Sequence, residues 1–179
     1  MSASLTDIEY LKSCLKSYPD FPKPGILFYD VFSLLSQPKA FNLLVDLLVS
    51  RAKSYDPPVT AIVALDSRGF LFGPIIALKL NIPFVPIRKK NKLPGKVLKA
   101  TYQLEYGEDT LEIQQDALEK GQAVLLVDDL IATGGTLEAG CNLVKQLGCT
   151  VSSCLVVMEL NGLKGRDNVS APVDSLIQY

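Results

Sequence analysis

The chain has 179 residues, with 18 Lys and Arg against 19 Asp and Glu and no histidine. That length predicts one domain with a sizeable core, and 48% hydrophobic with 21% charged residues is the balance of a soluble globule. A formal net charge of −1 argues against a general nucleic-acid or membrane-surface binder. The missing histidine excludes Ser-His-Asp and Cys-His nucleophile systems, His-ligated zinc and an imidazole base. Any catalysis must rest on carboxylates, cations, hydroxyls, backbone N–H groups or a metal held by oxygen.

In chain order, Ile8, Leu11, Leu15 and Tyr18 recur at helical spacing and predict a helix over 5–18. Pro19, Pro22, Pro24 and Gly25 then require an irregular connection. A second amphipathic helix is predicted over 38–54, opening at Pro38. Residues 59–65 read as a buried strand ending at Asp66, 69–80 as a helix despite Pro74, and 82–87 as a short strand. Segments 98–106 and 110–115 flank Gly107-Glu108-Asp109, a hairpin signal. Residues 123–127 are a third buried strand, 136–147 a helix stopped by Gly148, and 150–158 a fourth strand. Continuous apolar strands alternating with helices predict an α/β fold, an open, mainly parallel sheet covered on both faces.

Charge is unevenly spread. From Ser67 to Leu104 there is no acid but there are eight cations: Arg68, Lys79, Arg88, Lys89, Lys90, Lys92, Lys96 and Lys99. The apolar runs Gly69–Leu78 and Ile82–Ile87 in the same block demand burial, so the cations fall at the ends of buried elements. Such an arrangement suits a polyanionic small molecule. Cys14, Cys141, Cys149 and Cys154 form no CxxC pair, which predicts reduced thiols and a cytoplasmic location. No signal-peptide core is evident, and the longest uncharged stretch, Gln146 to Met158, is shorter than the ~20 residues of a spanning helix.

The sharpest motif runs from Val124 to Thr136: an apolar strand, Asp128-Asp129, a small-residue loop, then Thr133-Gly134-Gly135-Thr136 opening a helix. Ligands of open α/β sheets sit beyond the carboxyl ends of strands. Hydroxyls and unobstructed N–H groups at a helix N-terminus make a phosphate cradle, and carboxylates accept hydrogen bonds from a sugar diol. The loop therefore fits a ribose 5-phosphate, with both acids reaching one ligand only if the strand ends there. It is neither a Walker A loop nor a GxGxxG turn.

This stretch resembles the phosphoribosyl diphosphate-binding signature of type I phosphoribosyltransferases. Within them, the adenine phosphoribosyltransferases are resembled by Tyr18–Phe28, Leu65–Gly73, Ile87–Lys90, Lys92–Gly95 and Leu104–Gly107, from about residue 16 to Tyr179. The resemblance implies one phosphoribosyltransferase domain over 1–179, with an N-terminal hood over about 1–35 and a flexible hairpin lid over about 88–112. It implies transfer of the phosphoribosyl group of phosphoribosyl diphosphate to adenine, giving AMP and pyrophosphate in purine salvage. It also implies Mg2+ held mainly by substrate, with Asp128 or Asp129 reaching it through water, and a cytoplasmic homodimer binding small-molecule substrates.

Residue by residue, the resemblance gives Asp66, Ser67 and Arg68 to the pyrophosphate loop, with the strained, often cis, peptide usual there in the family falling between Asp66 and Ser67. Arg88 and Lys92 match lid cations that reach pyrophosphate, in the family often from the neighbouring subunit, and Tyr106 matches the tyrosine that closes over the site. Glu105 matches the catalytic carboxylate beside the purine. Asp128, Asp129, Ala132, Thr133, Gly134, Gly135 and Thr136 hold ribose and phosphate. Leu27 reads adenine through its backbone, Phe28 stacks on the ring, Tyr29 adjoins the base and Leu160 forms the opposite wall.

Two residues depart from the family pattern. Tyr29 stands where Arg or Lys is common, and Asn91 where the lid commonly has Gly. The competing readings are a divergent phosphoribosyltransferase with another base or low activity, and a non-catalytic phosphoribosyl diphosphate-binding regulator. Against them stand the hood Phe21–Ile26 and the retained Glu105.

Overall fold

Strands whose every residue is apolar must be covered on both sides, and the sheet here is. The computed structural model describes residues 5–103 and 108–179. Its elements are α1 (Leu5–Cys14), β1 (Lys16–Pro19), β2 (Leu27–Asp30), α2 (Phe32–Leu35), α3 (Pro38–Lys53), β3 (Ala61–Leu65), a 3-10 turn (Arg68–Leu71), α4 (Gly73–Leu80) and β4 (Phe84–Lys89). Then come β5 (Val97–Gln103), β6 (Glu108–Gln114), β7 (Ala123–Ile131), α5 (Gly135–Gln146), β8 (Thr150–Glu159) and β9 (Val173–Gln178).

Among the described residues the main sheet runs β5-β6-β4-β3-β7-β8-β9. β4, β3, β7, β8 and β9 are mutually parallel, and the β5–β6 hairpin adds antiparallel to the β4 edge. Alternation sorts the strands' side chains into two cores. Ile62, Ala64, Leu125, Val127, Leu155 and Val157 join α1, α3 and α4 on one face. Ala61, Val63, Leu65, Val124, Leu126, Cys154 and Val156 join α5 on the other. The predicted α/β fold with a covered, mainly parallel sheet is the observed one. No helix among the described residues is long and apolar enough to cross a membrane.

The differences from the sequence expectation have local causes. The first helix stops at Cys14 instead of continuing to residue 18. Lys16–Pro19 instead pairs antiparallel with β2, Tyr18 facing Phe28. The Lys16 N–H donates to Ser33 Oγ at 2.9 Å, which turns the chain out of the helix. The helix predicted over 69–80 is broken into the 3-10 turn and α4. Pro74, which cannot donate a backbone bond, sits in the first turn of α4, where no donor is needed. The strand predicted over 82–87 lies at Phe84–Lys89, and β7 continues past Val127 through both acids to Ile131. The hairpin is present, but Glu108 and Asp109, predicted with Gly107 as its turn, belong to β6 instead, paired with Gln103 and Tyr102; Gly107, with the rest of 104–107, lies outside the described residues. β2, α2 and β9 are elements the periodicity does not reveal.

At the end of β8, Glu159 is 3% exposed yet carries a charge. Arg166 grips it with two nitrogens, Nε at 2.6 Å, and the Ser175 hydroxyl donates to it at 2.7 Å. These bonds hold its carboxyl below the usual glutamate range, the Arg166 bond being the largest cause and burial opposing it. They fasten the turn after β8 to β8 and β9. Removing Arg166 leaves a buried carboxylate short of donors. Arg166→Ala should therefore lower stability at pH 7 by about 2 kcal/mol. A depressed folded pKa gives stability that is present above the unfolded value near ~4.3 and lost as pH falls below it. The gap between wild type and variant in urea unfolding should thus narrow in acid. Equal midpoints at pH 7 would remove the pair from the stability of the fold.

Candidate active site

β3 and β7 are parallel neighbours, so their carboxyl ends open on the same edge of the sheet. Their pairing ends at Ala64 with Val127, which leaves Asp128 and Asp129 free of β3 on one side. The 3-10 turn after β3 fills that gap. A Cβ on Gly69 would stand 2.6 Å from the Val127 carbonyl oxygen and 3.4 Å from Asp128 Cα. Only glycine lets the turn rest on β7 at this height. The approach brings Arg68 Nε to 2.7 Å from Asp129 Oδ2. The peptide between Asp66 and Ser67 is cis, as the resemblance implies.

A cavity of about 400 Å³ opens over this edge. Asp66, Ser67 and Arg68 line it from the β3 side, Asp128 and Asp129 from β7, and Ala132, Thr133, Gly134 and Thr136 from the loop into α5. Both acids thus face one cavity although β7 runs on to Ile131, against the expectation that the strand must end at the acids. The break in the β3 ladder does what a strand end would do.

The acids differ. Asp129 is 5% exposed and paired with Arg68. Asp128 has no cation within ion-pair distance among the described residues and accepts a hydrogen bond from the Asp129 N–H at 2.9 Å. Burial, then the neighbouring Asp129 charge, pushes the Asp128 carboxyl well above the usual aspartate range. Burial raises Asp129 as well, with Arg68 opposing it.

The loop is braced from behind. Gly134 has φ +86°, and a Cβ there would collide with the Gly165 carbonyl oxygen. Asn168 Nδ2 donates to the Thr133 carbonyl at 3.0 Å. The turn fastened by Glu159 and Arg166 is therefore the floor under the loop. Gly135 opens α5, whose N-terminal N–H groups and dipole favour an anion beside Thr133 and Thr136.

The remaining predicted residues stand apart from this lining. Arg88 Nε bonds Asp66 Oδ2 at 3.0 Å, and an Arg88 terminal nitrogen reaches the Lys92 carbonyl at 3.4 Å; the Lys92 side chain is exposed. Leu27, Phe28 and Tyr29 lie on β2, and Leu160 follows β8, its N–H on the Ile131 carbonyl at 3.0 Å. Phe28 packs edge-on against Phe21, centroids 5.0 Å apart. Glu105 and Tyr106 lie outside the described residues.

Lys89, which the sequence places only in the basic block, and Tyr102 also line the cavity, together with the apolar Leu130, Ile131 and Leu137. Tyr102 follows Leu98 and Ala100 at period two on the inward face of β5, a signal that was readable. Lys89 pairs with Asp109 at 3.0 Å, and that bond raises its pKa. Asn91 has φ +64° and its N–H donates to Glu112 Oε2 at 2.9 Å. A left-handed conformation explains why this position takes Gly or Asn.

Comparison with known proteins fits this architecture. The model of the phosphoribosyl transferase domain matches residues 31–178. An adenine phosphoribosyltransferase of Drosophila pseudoobscura pseudoobscura is 52% identical over 172 residues, 96% of this chain and 95% of that protein. The crystal structure of the Saccharomyces cerevisiae adenine phosphoribosyltransferase, complexed with an imino-altritol bisphosphate and adenine, superposes with a TM-score of 0.93. It is 45% identical, over 97% of this chain and 99% of that one. The Trypanosoma brucei adenine phosphoribosyl transferase, complexed with AMP, pyrophosphate and ribose-5-phosphate, gives a TM-score of 0.89 at 33% identity, over 99% and 82%. With the domain match over residues 31–178 and about half its residues identical to curated relatives across nearly the whole length, this chain belongs to the adenine phosphoribosyltransferase family.

Proposed function

We propose that the chain transfers the phosphoribosyl group of phosphoribosyl diphosphate to adenine, releasing pyrophosphate and forming AMP in purine salvage. The observation that carries this is the cavity at the carboxyl ends of β3 and β7, with a helix N-terminus at one side and two carboxylates at its floor. It acts as a single domain, with the N-terminal hood over the base and the β5–β6 hairpin as a lid.

In this reading the 5-phosphate sits on the Ala132–Thr136 loop, where N–H groups and hydroxyls meet the helix dipole. Asp128 and Asp129 accept hydrogen bonds from the ribose hydroxyls. Ser67, Arg68, Arg88 and Lys92 hold the pyrophosphate, and Arg68 is already fixed by Asp129. Such prior ordering of charge is what stabilises a leaving group without reorganisation at the moment of reaction. Phe28 and Leu160 enclose adenine, Leu27 reads it through backbone groups, and Tyr106 closes over the site. Glu105 takes or shares the proton that the purine must lose when its nitrogen bonds the ribose C1.

Mg2+ fits the residues present. No cluster of three metal-binding side chains occurs among the described residues, so the chain alone offers no closed cage. Asp128 and Asp129 supply the oxygen donors suited to a hard cation that takes its other ligands from phosphate and water. When bound, Mg2+ would offset the charge that builds on the departing pyrophosphate.

A homodimer is supported by large apolar side chains on the surface, Phe32 at 53% and Leu78 at 80% exposure. The cysteine spacing, with no CxxC pair and no disulfide framework, favours a reducing compartment, the cytoplasm.

The reaction is tested by incubating the protein with phosphoribosyl diphosphate, Mg2+ and, separately, adenine, hypoxanthine, guanine, uracil and orotate. AMP should be the main product and should vanish when Mg2+ is chelated; a different nucleotide, or none, overturns the reading. Glu105→Gln should cut kcat by about 10²-fold or more with the KM for phosphoribosyl diphosphate little changed. Unchanged turnover removes Glu105 from the mechanism.

Asp128 gives a pH signature. Its folded pKa lies above the unfolded value of about 3.9, so the folded chain holds this proton more tightly. Stability from that proton is lost as pH rises from near the unfolded value through the raised one. Asp128→Asn should therefore stabilise the free protein at pH 7, by about 1 kcal/mol, and flatten this slope while lowering AMP formation. A melting temperature at or below wild type would contradict the assigned strain between the two acids.

A further inference from the structure

Tyr29 departs from the family pattern, and its neighbours give it a different task. Consecutive side chains on a strand point to opposite faces, so Tyr29 faces away from Phe28 on β2. Its ring lies on that of Tyr179, with centroids 3.8 Å apart and planes 16° from parallel. Tyr179 is itself held by its backbone. Its N–H donates to the Glu159 carbonyl at 3.0 Å, and its carbonyl accepts from the Asn161 N–H at 2.8 Å. Those two partners flank Leu160 on either side.

The ring has a further neighbour. Lys12 Nζ lies 5.3 Å from the Tyr179 centroid and donates to the Gln178 carbonyl at 3.1 Å, bringing α1 to the same point. Tyr179 therefore touches both the strand that carries Phe28 and the turn that carries Leu160. Among the described residues β2 is otherwise paired with β1 alone, a strand exposed along its whole length. The stack is a direct tie between the outer hairpin and the end of the main sheet.

We infer that Tyr179 is a positioning residue that sets the separation of Phe28 and Leu160 through its stack on Tyr29. Tyr29 then serves adenine binding from behind Phe28, not by contact with the base. This rests on the proposed reaction, in which Phe28 and Leu160 enclose adenine. The phosphate loop is braced by other groups, Gly165 and Asn168, so the tie acts on one substrate and not the other.

The test is a steady-state comparison of wild type, Tyr179→Ala, Tyr179→Phe and Tyr29→Ala, with adenine and phosphoribosyl diphosphate each varied in turn. Stacked aromatic pairs are worth a few-fold to about tenfold in an equilibrium constant. Tyr179→Ala should raise the KM for adenine about fivefold with kcat and the KM for phosphoribosyl diphosphate within about twofold, the pattern of lost uniform binding of one substrate. Tyr29→Ala should reproduce it, and Tyr179→Phe, which keeps the ring, should restore wild-type values. An unchanged KM for adenine in Tyr179→Ala, or equal losses for both substrates, overturns the inference. If Tyr179→Ala melts below the assay temperature, Tyr29→Ala, which leaves the Tyr179 backbone bonds in place, decides by the same criterion. A wild type that forms no AMP overturns the proposed reaction first, and this inference with it.

Discussion

The contact between Arg68 and Asp129 is the constraint on which the site depends. Two adjacent carboxylates within a buried strand, just past its last pair with β3, repel each other and lose water, and the fold would not tolerate them without a cation at hand. Arg68 supplies it at 2.7 Å. It arrives there because Gly69 lets the turn after β3 lie against the β7 backbone, closer than any side chain permits. β3 stops pairing with β7 at Val127, which leaves room for that turn. α4 then begins at once and returns the chain to the core. A single glycine thus links the sheet's topology to the charge balance of the cavity.

The same logic extends over the basic block. Its cations find acids from outside the block: Arg68 with Asp129, Arg88 with Asp66, Lys89 with Asp109 and Lys99 with Glu112. The linear sequence separates the signs and the fold brings them back together. Several of these pairs sit on the rim or floor of the cavity, so its charges are ordered within the chain itself. The more exposed of them, Arg88 with Asp66 and Lys89 with Asp109, contribute little stability individually. Their value here is orientation, since a guanidinium held by a carboxylate presents its remaining N–H groups in a fixed direction.

What could be read from sequence and what could not follows from how far apart the interacting residues lie. β3, the first half of β7, β8 and α5 are runs of apolar residues with a glycine or acid at their ends, and local pattern suffices for them. The loop from β7 into α5 is legible for the same reason, because strand, loop and helix are consecutive. β1 has no buried residue and β2 only partly buried ones, so neither carries alternation; they exist because they pair with each other. β9 depends on β8, and the grip of Arg166 on Glu159 depends on the turn between them. The extension of β7 beyond its acids depends on β8, which comes later in the chain and stays paired with it to Ile131. Lys89 reaches the cavity only because β4 runs two residues beyond the apolar stretch that announces it.

The two departures from the family pattern illustrate why motif matching reads positions unevenly. At Asn91 the backbone is left-handed, and asparagine is among the few side chains that accept it, so a glycine position is kept with little change in shape. At Tyr29 the substitute changes the chemistry: a flat ring in place of a long cation, matched by a second flat ring at Tyr179. The first substitution could be understood from residue type alone once the turn was known. The second could not, because its partner lies 150 positions away and is brought near only by the last strand of the sheet. In this chain β2 is therefore tied to the end of the main sheet by an aromatic contact, and the positive charge lining the cavity comes from Arg68 on the turn after β3 and Lys89 at the end of β4.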